Sequence, residues 1–378
     1  MTKQGFRVLP MARAVLVAAG VVGMASVARA GQWTTVASTN VTREYPGLAL
    51  LPEGRVLAVT GHPLGGKSLD SAEIYDIARD RWTPTGSLSV PRNGVGPGGL
   101  IVLADGSVLI AGGGSANRSV HEVELYDQRS GKWKRAASMR LPRCVHTVTP
   151  LESGDVLVAG GIDWLTIHVQ DTSEIYDAAQ NRWVRLETMH TPRFNHAAVK
   201  LPDGNVLVTG GNRAYPGEVV ADAEIYDAKT HKWRKTAPMR IARRSHRMAL
   251  LDDGRVLVVG GAAGENTPNR HLDSVEVFDP KTERWSDAAP LREGRWGPTV
   301  DVLRDGRVLV AGGAFAPIGA RKSTELFDPA TGAWSDAGDL AQARNGHRSI
   351  MLPDGRVLIV GGHFVGLYLS SCEIYDPK

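Results

Sequence analysis

An arginine returns at nearly constant intervals along this chain: Arg43, Arg143, Arg193, Arg243, Arg295 and Arg344, with Arg92 three residues out of step. Three residues on stands a histidine in four cases, His146, His196, His246 and His347, and a proline in two, Pro46 and Pro298. Glutamate keeps the same beat at Glu73, Glu124, Glu174, Glu224, Glu276, Glu325 and Glu373. A guanidinium is always charged and offers a planar fork of donors, so a collar of them suits a carboxylate or sulfate ligand. The same series suits internal pairing, one arginine to one glutamate per repeat, because a buried charge requires a partner. Arg43 stands beside Glu44 and Tyr45, and Arg295 beside Trp296. Those neighbours break the pattern, which makes Arg43 and Arg295 the ligand-binding candidates of the set. Glu44 and Glu293 are the candidates for acid/base chemistry next to an anion-binding arginine.

The elements that must position these groups come from a unit of about 50 residues written seven times. The clearest copy begins at Leu352 with Leu-Pro-Asp-Gly-Arg-Val-Leu-Ile-Val-Gly-Gly and continues to Glu-Ile-Tyr-Asp, ending at Asp376. Each unit reads as four short antiparallel strands. Strand a precedes an Asp-Gly turn, and strand b is the apolar run that ends in a glycine pair. Strand c carries Glu-x-Tyr/Phe-Asp, and strand d opens on Trp. The Pro-Asp-Gly at 202–204 is a tight turn, since Pro presets φ and Gly tolerates positive φ. From Asp76 to Trp82, and in five later copies, the step is six residues. An Asx-type turn, in which the Asp carboxylate bonds its own backbone two residues on, explains that constancy. The last copy lacks its Trp, which stands instead at Trp33. Blade seven is therefore expected to take strands a, b and c from the C-terminus and strand d from the N-terminus. The expectation is an all-β, seven-bladed propeller of four-stranded antiparallel blades, closed so that no sheet edge is left at the seam.

Antiparallel order puts the a–b and c–d turns on one face and the b–c and d–a loops on the other. The first face is uniform in length and composition. The second carries what the repeat does not explain: Tyr45, Trp164, Phe194, Tyr215, Trp296, Phe315, Phe364 and Tyr368. Ten of the eleven histidines fall there or at the start of strand a, with His231 the exception. Long loops accommodate large residues, and loops on a rigid scaffold are also the usual seat of binding. The expected ligand-binding set is Arg43, Tyr45, Trp164, Tyr215, Arg295, Trp296, His363 and Tyr368.

The glycine pair, the Glu-x-Tyr/Phe-Asp, the six-residue step to Trp and the Pro-Arg-x-x-His at 142–146 and 192–196 together resemble kelch repeats. The resemblance covers residues 31–378. It implies a propeller similar in architecture to the galactose oxidase and bacterial sialic-acid epimerase groups. Copper-radical oxidation of the first kind would need two tyrosines, two histidines and a cross-linkable Cys. No Tyr-His neighbours occur, and Cys372 lies inside a strand c motif. Epimerase or mutarotase chemistry of the second kind would fall to Glu44 or Glu293, although the resemblance implies six blades for that group.

Residues 1–30 read as a secretory signal peptide: a basic leader, an apolar run from Ala14 to Val27, and Ala28-Arg29-Ala30 as the cleavage site. That run is too short to span a bilayer comfortably. The leader holds four basic residues and no acid, so the remainder has 40 of each sign. A balanced charge removes the electrostatic warrant for a nucleic-acid partner. The two cysteines fall on different strands of different repeats, which argues against a disulfide. The sequence thus predicts an exported monomer, periplasmic or secreted, that binds a carbohydrate or protein ligand on the b–c/d–a face without cofactor or metal.

Overall fold

The computed structural model describes residues 31–63, 66–96, 99–115, 118–264, 270–315 and 319–378. The expected leader lies outside them. Seven four-stranded antiparallel sheets follow one another around a ring. Blade four is representative, with strands Ala197–Lys200, Val206–Thr209, Ala223–Asp227 and Lys232–Thr236 paired in chain order. The seam is as expected. Gln32–Val36 pairs with Cys372–Asp376, so Trp33 faces Tyr375 and becomes strand d of blade seven.

Local chemistry accounts for the elements. Strand b is apolar and fully buried in every blade, from Val56–Val59 to Val357–Val360. It is a central strand covered by blades on both sides, so it does not alternate. The glycine pair closing it is forced by contact: a Cβ on Gly210 would lie 2.3 Å from the Arg243 carbonyl oxygen, and one on Gly211 2.7 Å from that of Phe194. In the c–d turn of blade four the Asp227 carboxylate accepts from the Lys229 and Thr230 amides at 2.9 and 2.8 Å. The Trp six residues on packs against the strand c aromatic, with Tyr226 and Trp233 centred 5.2 Å apart. Apolar clusters fill the gaps between neighbouring blades, as where Leu109 and Val123 meet Val156 and Trp183. Strands a of adjacent blades touch around the axis.

The recurring charges serve each blade. All seven arginines are fully buried and meet the strand c glutamate of their own blade at 2.6–2.9 Å. The second oxygen of each glutamate accepts a backbone N–H from the incoming d–a loop at 2.7–2.9 Å. In blade three Arg143 also donates to the carbonyls of Gly160 and Thr172 at 2.7 and 3.0 Å. Each pair therefore staples the d–a loop and the b–c loop of one blade together. Of the two uses open to the arginine series, the structure adopts internal pairing.

Candidate functional site

The staples fix the residues that follow them. Two positions after each ring arginine stand Tyr45, Gly94, Val145, Asn195, Ser245, Gly297 and Gly346, and all seven have positive φ, between 50° and 63°. Left-handed backbone costs a non-glycine residue roughly 1–2 kcal/mol. Four blades bear that cost, which marks an imposed geometry. Backbone bonds then run from blade to blade around the channel mouth: Tyr45 to Gly346, Val145 to Gly94, Asn195 to Val145, Ser245 to Asn195 and Gly297 to Ser245.

Inside this belt lies a cavity of about 360 Å³ to which all seven blades contribute. Glu44, Tyr45, Trp164 and Trp296, each predicted from the sequence, line it. Its positive charge comes from two residues the sequence reading missed, Arg247 and Arg348. They open strand a of blades five and seven, where other blades have Gly47, Thr147, Ala197 and Thr299. A repeat-by-repeat comparison of that position carried the signal. Arg247 donates to the His246 carbonyl and Arg348 to the His347 carbonyl, each at 3.3 Å. Among the described residues neither forms an ion pair. Burial and the charge of Arg348 pull Arg247 down to about 9. Burial lowers Arg348 as well, opposed by Tyr45, over whose ring it lies at 5.5 Å, and by Glu44. Burial, then Glu44, pushes the Tyr45 phenol up to about 12.

Glu44 is a carboxylate of the lining, and its Oε1 sits 2.6 Å from His363 Nδ1. The angle there is not that of a directed hydrogen bond. His363 stacks on Tyr368 at 5.8 Å, and His62 lies 6.1 Å from the same Tyr368 ring. Tyr215 stands outside the cavity, edge-on to Trp164 at 5.1 Å and half exposed. Glu293 is not brought to the mouth. It pairs with Arg321 at 2.8 Å and accepts from Ser323 Oγ.

One expectation requires correction. Arg43 and Arg295 are no more available than the other ring arginines, being fully buried against Glu73 at 2.9 Å and Glu325 at 2.6 Å. Their pattern-breaking neighbours face the cavity, and they do not, because their forks are spent inside the blade. The four Arg-x-x-His imidazoles are likewise buried and held neutral. Desolvation, then Arg143, takes His146 down to about 3.

The aromatic surfaces are largely occupied. The Arg244 guanidinium lies 5.6 Å from the Trp296 ring, and His271 stacks parallel to it at 6.3 Å. Phe194 and Tyr215 pack edgewise on Trp164. Among the described residues, no three His, Cys, Asp or Glu side chains are placed to hold a metal. Cys144, at the cavity wall, is a free thiol that burial raises to about 11, and its Sγ donates to the Gly94 carbonyl at 3.4 Å.

The ring and its staples define a kelch propeller. The KLHDC2/KLHL20/DRC7 Kelch-repeats domain matches residues 101–313, more than half of the chain, and the chain belongs to that kelch-repeat family. It is 31% identical to Kelch-like protein 34 of Homo sapiens over 123 residues, 32% of this chain and 19% of that protein. It is 30% identical to an F-box/kelch-repeat protein of Arabidopsis thaliana over 145 residues, 35% of this chain and 37% of that one. The chain thus matches only a minor part of the length of these curated relatives. A solved fungal alcohol oxidase of the AA5 family, in complex with copper, superposes with a TM-score of 0.73 at 18% identity, covering 92% of this chain and 76% of that one. That likeness is one of fold.

Proposed function

We propose that the chain is an exported binding module that holds a protein partner on its b–c/d–a face, with an anionic group of the partner seated over Arg247 and Arg348. One observation carries this: two arginines without ion-pair partners among the described residues stand in a cavity framed by all seven blades. A pair of like charges held together in a partly dry site is satisfied by an anion from outside. Kelch propellers commonly serve as protein-interaction modules, which favours a polypeptide as the bearer of that anion. A carbohydrate would seek open aromatic platforms, and the faces of Trp296 and Tyr45 are already covered by arginines. The test sets a glycan array beside an array of acidic peptides, probed with wild type and with Arg247→Ala/Arg348→Ala. Acidic peptides retained by wild type and lost by the variant support the proposal; glycans captured while peptides are ignored would overturn it. Export follows from the leader expected over residues 1–30, and cell fractionation checks it.

A second reading rests on the Glu44–His363 contact of 2.6 Å beside the arginines. Such a pair can move a proton on a ligand whose carboxylate the arginines hold, as a sugar epimerase or mutarotase requires. Interconversion of acidic-sugar anomers followed by proton NMR, faster with wild type and not with Glu44→Gln, is the result that reading needs.

A further inference from the structure

Two b–c hairpins on the cavity face carry large apolar side chains into solvent. In blade three Ile162–Asp163 pairs with His168–Val169, and in blade seven His363–Phe364 pairs with Leu367–Tyr368. Each is a separate two-stranded sheet outside the blade sheets. At their tips Leu165 is 73% exposed, Ile167 46%, Val365 59% and Leu367 56%. Ile167 and Val365 also have φ of 55° and 43°. A β-branched residue is a genuine outlier in that region. A turn of this kind is better made with Gly or Asn, and a solvated tip is better made polar. Neither folding nor solubility accounts for the residues present.

In a seven-membered ring, blade seven lies across the axis from blade three. A single occupant touching both tips must therefore pass over the mouth that holds Arg247 and Arg348. We infer that the partner is a polypeptide segment presenting an acidic side chain between two apolar ones, its apolar residues docking on Leu165–Ile167 at one side and Val365–Leu367 at the other. This rests on the reading of the cavity as an anion site, and adds the apolar anchors that fix register and direction. Charge complementarity selects the centre of the segment, and the removal of apolar surface from water supplies affinity at its ends.

The experiment is a phage-displayed random peptide selection on a chain of residues 31–378, which carries every strand of the ring. Selected peptides are synthesised and their affinities measured against wild type, Leu165→Ser/Ile167→Ser, Val365→Ser/Leu367→Ser and Arg247→Ala/Arg348→Ala. The expected consensus is an acid flanked on both sides by apolar residues, with affinity falling about tenfold for each tip variant. The substituted tips are solvent-exposed, so unchanged thermal midpoints are expected for both tip variants. Peptides sensitive to the arginine variant but indifferent to the tips overturn the anchors and leave the cavity reading standing. Peptides indifferent to the arginines overturn the cavity reading itself. A selection that yields no binder, or tips whose substitution abolishes sedimentation with anionic phospholipid vesicles, overturns the polypeptide partner.

Discussion

Replacing Arg247 by Met should make the protein more stable and remove its ligand. Burial and the neighbouring Arg348 lower the Arg247 guanidinium from 12.5 to about 9. A cation whose folded value lies below its unfolded one opposes folding, fully so at any pH below the folded value. The opposition fades as pH rises from about 9 toward 12.5, where the unfolded chain also deprotonates. At about 1.4 kcal/mol per unit the whole shift corresponds to about 5 kcal/mol. Arg247 is partly exposed, so solvent screens part of this, and Met does not replace all the packing of the arginine stem. A net gain of about 1–2 kcal/mol at pH 7 is the expectation. Urea unfolding followed by tryptophan fluorescence measures it at pH 7 and pH 10, and the advantage of the variant should shrink at the higher pH. Sulfate adds a second arm. Its exclusion from protein surfaces stabilises both chains alike, whereas binding at the arginine pair stabilises only the wild type. The gap should therefore narrow in sulfate more than in chloride of equal ionic strength. Loss of more than about 1 kcal/mol in Arg247→Met, with no difference between the two salts, would mean that Arg247 is a structural residue and the reasoning fails.

The staples offer the opposite outcome. Glu174→Ala leaves the Arg143 guanidinium buried without its anion and should cost about 3–5 kcal/mol in denaturant unfolding. Arg143→Met/Glu174→Leu should recover much of that loss, and a double variant weaker than Glu174→Ala would contradict the pairing argument. Gly297 and Gly346 share the left-handed geometry at φ 60° and 63°, but a Cβ on Gly346 would lie 2.7 Å from Glu44 Cγ while one on Gly297 meets nothing within 4 Å. Gly297→Ala should thus cost about 1 kcal/mol, the conformational part alone. Gly346→Ala should cost more and displace Glu44 from His363, visible as a change in the His363 ring chemical shifts by NMR. Deleting Gln32–Val36 removes strand d of blade seven and leaves strand c of that blade as an open edge. Loss of cooperative melting, with aggregation, is the expected result.

The staples show how far local pattern reaches. One arginine and one glutamate per repeat stand in register along the chain, so their pairing inside each blade was legible as one of two alternatives. Singling out Arg43 and Arg295 failed because a neighbour in sequence is not a neighbour in the cavity. With the arginine fork turned into the blade, the next residue points the other way, which is why Glu44 and Trp296 line the site and the arginines beside them do not. Arg247 and Arg348 escaped notice for a related reason. Each follows a staple histidine and reads as one more basic residue of a regular motif. Only comparison across blades, where Gly, Thr or Ala holds that position, marks them as exceptional.

The sequence by itself determined the ring: its blade count, the strands of each blade and the closure through Trp33. Those are consequences of a repeating pattern of turns, glycine pairs and apolar runs, each acting over a few residues. Tertiary structure alone decided which charges are spent and which are free. Closing the ring brings residues some hundred positions apart, such as Arg247 and Arg348, to the same mouth. Whether a guanidinium finds a carboxylate there depends on distances across the axis, which no local pattern encodes.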